Sequence, residues 1–387
     1  MRLPTLPCIF PGERLCAASL GWQNGRLTAP HFEGAVEETP QQLLTPGLVD
    51  VHVNGIHTHN FDQGPDALIA ATQIFPRYGT TSVAPTMQPV IAEPWLNTLA
   101  AVAAAIPRAE GARVLGLHLE GPFVALAGAA TDPRPGDIGL LEELLDRCQG
   151  QLRIMSVSPE VPHILPVIEY LVGAGVVPFI THTAASVEET ERAVDAGARH
   201  ATHFYDVFPI PREQDPGVRM AGVVETVLAD PRATCDFICD GVHVHPMAVR
   251  AAVAAKGWQG VSLITDGNVG AGLGPGIYET PWGYRVRLEE GNAPRIADAG
   301  HPMQGCLAGS ALTMDAGMNN LLRWLNLPLE QIWAMGTVNP ARVIGDPHLG
   351  AIREGAQADL VHWQREGDRW RVSKTWVAGR LVYDADA

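Results

Sequence analysis

Eight short apolar segments, each able to form a buried parallel β-strand, alternate with helix-like segments along most of the sequence. They span residues 47–54, 80–86, 113–120, 152–158, 176–182, 200–204, 234–240 and 260–266. A strand covered by helices on both faces is apolar along its whole length, and regular alternation of strand and helix is typical of a parallel sheet. The pattern therefore predicts an α/β protein built on a (β/α)8 barrel.

Two of the intervening helices have recognisable ends. Ser186 and Glu189 have the spacing of a capping box, and Gly197 is suited to end the same helix. Residues 93–106 are rich in alanine and leucine and begin close to Pro94. These signals support helices in the places where a barrel requires them.

The two ends of the chain have a different pattern, with short alternating stretches separated by turn residues such as Asn24 and Gly25. The C-terminal residues 359–363 and 375–383 resemble the N-terminal stretches in this respect. Because chain termini often lie close together, we expect residues 1–45 and 345–387 to form one small β-sandwich. Residues 46–344 then form the barrel.

Six of the predicted strands end in side chains that bind metals or transfer protons. These ends lie at residues 50–54, 118–122, 181–183, 202–204, 240–243 and 263–267. In a (β/α)8 barrel the carboxyl ends of all strands open onto the same face, where catalytic groups collect. The sequence therefore predicts an active site on this face.

Glu120, His182 and His203 are the predicted metal ligands. The two histidines are 21 positions apart, which is one strand–helix unit, so they project from neighbouring strands. One carboxylate and two imidazoles suit a catalytic zinc ion, although iron, manganese and cobalt accept the same ligands. We therefore expect one divalent cation.

Three more strand-end residues complete the predicted reaction centre. Asp266 is expected to act as general base and then general acid, because a buried acid at the barrel mouth needs a charged partner. His52 and Asn54 alternate on the first strand, so both point inwards. His52 is a candidate further ligand, whereas Asn54 is a poor ligand for a transition metal, which makes a second metal site doubtful.

Composition excludes several other classes of function. The formal net charge of −15 argues against a nucleic-acid-binding surface. No apolar run approaches the roughly 18 residues of a membrane-spanning helix, and prolines interrupt residues 4–11 where a signal peptide would need an apolar segment. The six cysteines are scattered without a CxxC pair, as is typical of reduced thiols. These features predict a cytoplasmic protein.

Several motifs, in order and over the chain from about residue 45 to its end, resemble the N-acetylglucosamine-6-phosphate deacetylases of the amidohydrolase superfamily. They are PGLVDVH at 46–52, GLHLEGPF at 116–123, HFY at 203–205, DGVH at 240–243, ITD at 264–266 and LAGSALTM at 307–314. NPAR at 339–342 and GAIREGAQADL at 350–360 extend the resemblance. A glutamate on the third strand is typical of this branch.

The resemblance implies roles for particular residues and a small-molecule amino-sugar substrate. It assigns the metal to Glu120, His182 and His203 and the acid–base step to Asp266. It also implies that His243 and the backbone of Leu307, Ala308 and Gly309 contact the sugar. It further implies a homodimer in which the partner subunit lends an arginine, for which Arg212 is the nearest match.

Two departures from the family pattern concern the phosphate of the substrate. Asp206-Val207 stands where the family has Asn-Ala, which helps to hold the phosphorylated sugar. The loop 125–131 reads ALAGAAT, without the family's basic residues and histidine. A carboxylate beside a phosphate is repulsive unless it is protonated or bridged by a cation.

The sequence leaves three functions open. The first is removal of an acetyl group from an N-acetyl amino sugar such as N-acetylglucosamine-6-phosphate. The second is hydrolysis of a different N-acyl amine or a cyclic amide, with altered specificity away from phosphate. The third is a catalytically inactive relative that only binds its ligand.

Overall fold

The computed structural model describes residues 2–36, 40–128, 130–212 and 215–387. Within these residues all eight predicted barrel strands are present and parallel, and the predicted fold class is confirmed. The barrel strands are Leu48–Val53, Thr80–Met87, Leu117–Leu119, Leu152–Val157, Val177–Ile180, His200–Ala201, Thr234–Ile238 and Val261–Ile264. A short strand, Arg113–Val114, also pairs with the second barrel strand.

Hydrogen bonds between the last and the first strand region close the barrel. The amide of Asp266 donates to the carbonyl oxygen of His52 at 2.9 Å, and the amides of Asn54 and Gly55 donate to Gly267 at 2.8 Å. Closure therefore brings His52 and Asp266 side by side, although they are far apart in sequence.

Buried Asp50 makes a second link across the same closure. Its carboxylate accepts hydrogen bonds from the hydroxyl of Thr265 at 2.6 Å and from the Thr265 amide at 3.3 Å. Burial raises the pKa of Asp50 to about 7, against the opposing effect of these hydrogen bonds.

Helices surround the barrel. The α-helices are Pro65–Ile74, Glu93–Ala105, Ile138–Arg147, Ile164–Gly173, Val187–Ala196, Val223–Ala229, Pro246–Lys256, Met314–Trp324, Leu329–Met335 and Val338–Val343. Short 3-10 helices lie at Phe61–Gln63, Phe75–Tyr78, Ile106–Arg108 and Trp258–Gly260. Ser186 and Glu189 form the predicted capping box, and Gly197 ends that helix. Of the helices in the described ranges, none has the length and apolar character needed to cross a membrane.

Strands from both ends of the chain form one seven-stranded sheet within the described residues. In spatial order they are Arg380–Asp384, Arg369–Val377, Leu360–Glu366, Gln42–Pro46, Leu6–Phe10, Arg14–Ser19 and His31–Ala35. The N-terminal and C-terminal parts meet where Gln42–Pro46 pairs antiparallel with Leu360–Glu366. This strand-rich domain accompanies the barrel, as the predicted fold class requires.

Smaller sheets complete the fold. Gly276–Glu279, Arg285–Leu288 and Arg295–Ile296 form an antiparallel sheet in the segment that follows the last barrel strand. Two hairpins pair Trp22–Gln23 with Arg26–Leu27 and Gly55–Ile56 with His59–Asn60. The three-stranded sheet lies next to the open face, because its neighbour Trp282 lines the cavity described below.

Candidate active site

A cavity of about 380 Å³ opens at the carboxyl ends of the barrel strands. Most of the residues predicted to act in catalysis or substrate binding line it, namely Glu120, His182, His203, Asp206, Val207, His243, Asp266, Leu307, Ala308 and Gly309. Their convergence follows from the barrel, because each lies at a strand end or in a loop on the same face.

Glu120 is the centre of the group at the bottom of the cavity. Its Oε1 atom is 2.9 Å from Nε2 of His182 and 3.2 Å from Nε2 of His203. Nε2 of His203 is also 2.8 Å from the hydroxyl oxygen of Thr181. All three predicted ligands are buried. They therefore present one carboxylate and two imidazole nitrogens to the same small volume.

His52 faces this group from the first strand. Its Nε2 atom is 3.2 Å from Oδ1 of Asp266 and 3.4 Å from Oε2 of Glu120. Neither contact has hydrogen-bond geometry, so this buried nitrogen lacks a hydrogen-bond partner among the described residues. Ligand atoms of His52, Glu120 and His203 all lie within 4.8 Å of one another. A buried imidazole nitrogen directed at carboxylates without hydrogen-bonding to them fits a divalent cation.

The charges of these side chains depend on one another. Burial alone would raise the pKa of Glu120, but the charge of His52 and hydrogen bonds from His182 and His203 hold it well below its usual range. Burial lowers the pKa of His203, yet the hydrogen bond to Glu120 and its charge outweigh burial and raise that pKa to about 8. The neighbours of Glu120 therefore favour its ionised form, which is the form that binds a cation.

Three of these residues have a left-handed backbone conformation. The φ angles of His182, His203 and Asp266 are +47°, +36° and +48°. Residues other than glycine adopt this region at an energetic cost, and such residues often mark functional sites. At each position the turn follows a strand end and directs the side chain towards the cavity.

Hydrogen bonds hold both the side chain and the backbone of Asp266. Its Oδ1 atom accepts a hydrogen bond from Nδ2 of Asn54 at 2.6 Å. Its carbonyl oxygen accepts from the amide of Ser310 at 2.8 Å, which ties the segment 307–310 to the end of the last strand. Because Asp266 remains slightly accessible, with 8% of its surface exposed, its carboxylate can reach a molecule in the cavity.

Comparison with known proteins places the chain in a family. The amidohydrolase family model matches residues 174–382. The N-acetylglucosamine-6-phosphate deacetylase of Vibrio furnissii is 32% identical over 379 residues, which cover 94% of this chain and 90% of that protein. The chain belongs to the amidohydrolase family. Within that family it belongs to the N-acetylglucosamine-6-phosphate deacetylases, as the motifs predicted, and it is a hydrolase of non-peptide carbon–nitrogen bonds.

Further relatives of this amidohydrolase differ in the sugar they are named for. The N-acetylgalactosamine-6-phosphate deacetylase of Escherichia coli O157:H7 is 31% identical and covers 90% of each chain. A structure from Mycobacterium smegmatis contains a deacetylase mutant in complex with N-acetyl-D-glucosamine-6-phosphate. It is 29% identical, has a TM-score of 0.84 and covers 98% of both chains.

His243, Asp206 and Val207 also line the cavity of this amidohydrolase. Nδ1 of His243 is 2.7 Å from Oδ2 of Asp240. Burial lowers the pKa of His243, but this hydrogen bond and the charge of Asp240 raise it above its usual value. Among the described residues that line the cavity, none is a lysine or an arginine. Within one chain, the histidines are therefore the lining side chains that can carry a positive charge.

Arg212 does not line this cavity. It is exposed, and it lies in the loop that follows Val207. Glu213 and Gln214, which belong to the same predicted motif, lie outside the described residues. In a single chain, Arg212 is thus separate from the other predicted substrate-binding residues.

Sequence reasoning missed Gln88. This side chain donates to Oε2 of Glu120 and to Oδ1 of Asn54 at 3.3 Å, and it accepts from the hydroxyl of Thr131 at 2.6 Å. Gln88 follows Met87, the last residue of the second barrel strand, so it has the same strand-end position as the predicted residues. The strand-end position could have predicted a role in the site. Glutamine is a common neutral residue, however, and by itself does not indicate a metal ligand or a catalytic residue.

Proposed function

We propose that this amidohydrolase removes the acetyl group from an N-acetyl amino sugar, with N-acetylglucosamine-6-phosphate as the first substrate to test. The observation that carries the proposal is the convergence of Glu120, His182 and His203 beneath Asp266 in one cavity. The names of relatives that cover most of the chain support the acetylated amino sugar as substrate.

Glu120, His182 and His203 would hold one divalent cation, with His52 as a further ligand. Zinc is the first choice for this ligand set, and iron, manganese or cobalt are alternatives. Such a cation, when bound, polarises a carbonyl group and lowers the pKa of water. A second cation is not part of the proposal, because Asn54 directs its amide nitrogen at Asp266.

Asp266 would move the proton. Its carboxylate accepts a proton from the water that attacks the acetamide carbonyl carbon, and then delivers it to the amine nitrogen as the carbon–nitrogen bond breaks. The second proton of the water is lost when the acetic acid product ionises and is taken up by the amine, so acetate and the ammonium form of the amino sugar are the products and the protons balance. Asn54 keeps the Asp266 carboxylate in place through its 2.6 Å hydrogen bond.

The sugar would contact other residues that line the cavity. His243 and the backbone of Leu307, Ala308 and Gly309, which line the cavity, would contact the ring, and Asp206 and Val207, which also line it, would lie near the position of the phosphate. In this proposal the protein is a cytoplasmic homodimer in which Arg212 reaches the neighbouring active site. Two exposed apolar residues close to Arg212 in sequence, Ile210 at 60% and Val218 at 49%, support a contact surface there.

The substitution Asp266→Asn tests the acid–base assignment. Asparagine has nearly the same shape but cannot accept the proton, so kcat should fall by about 10²–10⁴-fold. Metal content measured by elemental analysis should remain that of the wild type. Asp132→Asn, which changes an exposed acid paired with Arg134, is the matched control and should leave turnover unchanged. Wild-type turnover by Asp266→Asn would contradict the assignment.

One observation favours a second candidate function, hydrolysis of an unphosphorylated N-acyl amine or a cyclic amide. The described cavity lining contains the acids Glu120, Asp206 and Asp266 but neither lysine nor arginine. Comparing kcat/KM for N-acetylglucosamine-6-phosphate, its galactosamine epimer, the unphosphorylated sugar and N-acetyl amino acids separates the candidates. Failure to hydrolyse any amide in the presence of each metal would instead indicate an inactive relative.

A further inference from the structure

Behind His52 lies a chain of buried polar groups that the proposed reaction does not use. Nδ1 of His52 is 3.3 Å from the hydroxyl oxygen of Thr202. That oxygen is 3.1 Å from both carboxylate oxygens of Asp236. His52, Thr202 and Asp236 are each 0% exposed. The hydrogen bonds among them are therefore shielded from water and sensitive to the placement of each proton.

The order of donors in this chain determines which nitrogen of His52 carries a proton. An ionised carboxylate can only accept, so the single hydroxyl hydrogen of Thr202 points to Asp236. The lone pairs of the hydroxyl oxygen then accept a hydrogen bond from Nδ1–H of His52. In the neutral imidazole, Nε2 is consequently the nitrogen with a free lone pair, and Nε2 faces Glu120 and Asp266.

Asp236 also contacts the backbone of His203 and the ring of His200. Its Oδ1 atom accepts from the backbone amide of His203 at 2.6 Å, and its Oδ2 atom is 2.8 Å from Nε2 of His200. Nδ1 of His200 in turn lies 2.7 Å from the hydroxyl of Thr234. The same carboxylate thus supports the backbone of His203, whose φ angle of +36° is unfavourable for a histidine.

We propose that Thr202 and Asp236 are positioning residues that hold His52 in the tautomer whose Nε2 can bind a cation. They make His52 a ligand beside Glu120, although neither touches the substrate. Groups that hydrogen-bond to the second nitrogen of a metal-binding histidine typically change metal affinity by about 10–100-fold. The proposal rests on the proposed function in one respect, namely that this site binds a divalent cation.

The test compares Thr202→Val, which removes the hydroxyl at constant shape, with Thr202→Ser, which keeps it. Zinc affinity of metal-depleted protein is measured by competition with a chromophoric chelator. Thr202→Val should bind zinc about 10–100-fold more weakly, and Thr202→Ser should stay within roughly threefold of the wild type. Thr226→Val is the matched control, since Thr226 is also buried and donates to a backbone carbonyl far from the site. It should not change zinc affinity.

A double-mutant cycle with His52→Ala shows whether Thr202 acts through His52. If it does, His52→Ala alone weakens zinc binding, and Thr202→Val adds less than about twofold in that background. Each of three outcomes would overturn the inference. Thr202→Val could bind zinc with the affinity of the wild type, or it could lose the same factor of zinc affinity with and without His52→Ala. His52→Ala alone could also bind zinc with the affinity of the wild type. All three outcomes leave the proposed metal-dependent deacetylation through Glu120, His182 and His203 standing, whereas a wild-type protein that binds no divalent metal overturns both.

A measurement on the wild type covers the case in which Thr202→Val does not fold. Long-range ¹H–¹⁵N NMR of zinc-loaded protein with labelled histidine reports the tautomer, and the His52 signals are identified by their loss in His52→Ala. The inference predicts a protonated Nδ1. A protonated Nε2 with a bare Nδ1 would overturn it.

Discussion

The two carboxylate oxygens of Glu120 have different partners, and these partners make Glu120 suitable as a metal ligand. His182 and His203 approach one carboxylate oxygen, and Gln88 donates to the other. Removing a partner from a buried carboxylate leaves its charge uncompensated, which is more costly than the loss of the hydrogen bond alone. Each of these side chains thus stabilises the ionised form of Glu120 and also helps to shape the site.

Asp206 is the residue whose charge we propose sets the preference between phosphorylated and unphosphorylated substrates. The substitution Asp206→Asn removes a negative charge from the cavity wall without changing its size. A phosphorylated sugar should then gain roughly tenfold in kcat/KM relative to the unphosphorylated sugar, because like charges a few ångströms apart repel by about 1 kcal/mol or more. The ratio of the two kcat/KM values is the measurement.

Asp215→Asn is the control for the Asp206 prediction, since it removes the same charge from an exposed position in the following loop, outside the cavity lining. It should leave the kcat/KM ratio near that of the wild type. An identical ratio in Asp206→Asn and the wild type would show that Asp206 does not face the far end of the substrate.

At the scale of elements, the segment 307–310 acts together with the last barrel strand. Gly267 and Ser310 form a parallel bridge, and the hydroxyl of Ser310 donates to the carbonyl of Thr265 at 2.5 Å. Gly309 has a φ angle of +62°, and a Cβ atom there would lie 2.9 Å from the carbonyl oxygen of Asp266. The close approach of these two backbones therefore requires glycine.

The substitution Gly309→Ala should disturb Asp266 through this contact. The added methyl group must push the Asp266 backbone away, so we expect kcat to fall by at least about tenfold, because small displacements of catalytic groups have large effects on rate. Gly305→Ala is the matched control, since Gly305 also has a positive φ of +82° but no atom within 4 Å of the added Cβ. Equal kcat values for the two variants would contradict the contact.

Strand ends account for most of what the sequence could predict about the site. Glu120, His182, His203 and Asp266 were found because a polar residue of the right type followed an apolar run. Asp236 was not found, because it lies inside the strand Thr234–Ile238 and the apolar residues around it conceal its role. The left-handed backbone of His203 was equally hidden, since no local pattern requires it.

At the scale of the whole molecule, the barrel and the terminal sheet share one apolar junction. The indole of Trp333, on the helix Leu329–Met335, packs edge-to-face against Trp363 and Trp370 at centroid distances of 5.9 and 6.2 Å. Trp363 and Trp370 lie on strands of the terminal sheet. The alternating pattern of both chain ends predicted the sheet, but the partners in this junction depend on tertiary packing.

The closure of the barrel likewise depends on tertiary packing. His52 and Asp266 are separated by more than two hundred positions, and their contact depends on the pairing of the first and last strands. Their positions at strand ends indicated that both belong to one site, whereas their 3.2 Å separation could come only from the folded structure. The part of the site assigned to Arg212 depends on a second chain and stays a prediction.

Anomalous diffraction from crystals grown with zinc tests the central claim most directly. The claim is that one cation binds between Glu120, His182 and His203 beneath Asp266. It predicts one strong peak about 2.0–2.2 Å from a carboxylate oxygen of Glu120 and from Nε2 of both histidines. A map without a peak there, or with its peaks only at other residues, would contradict the account.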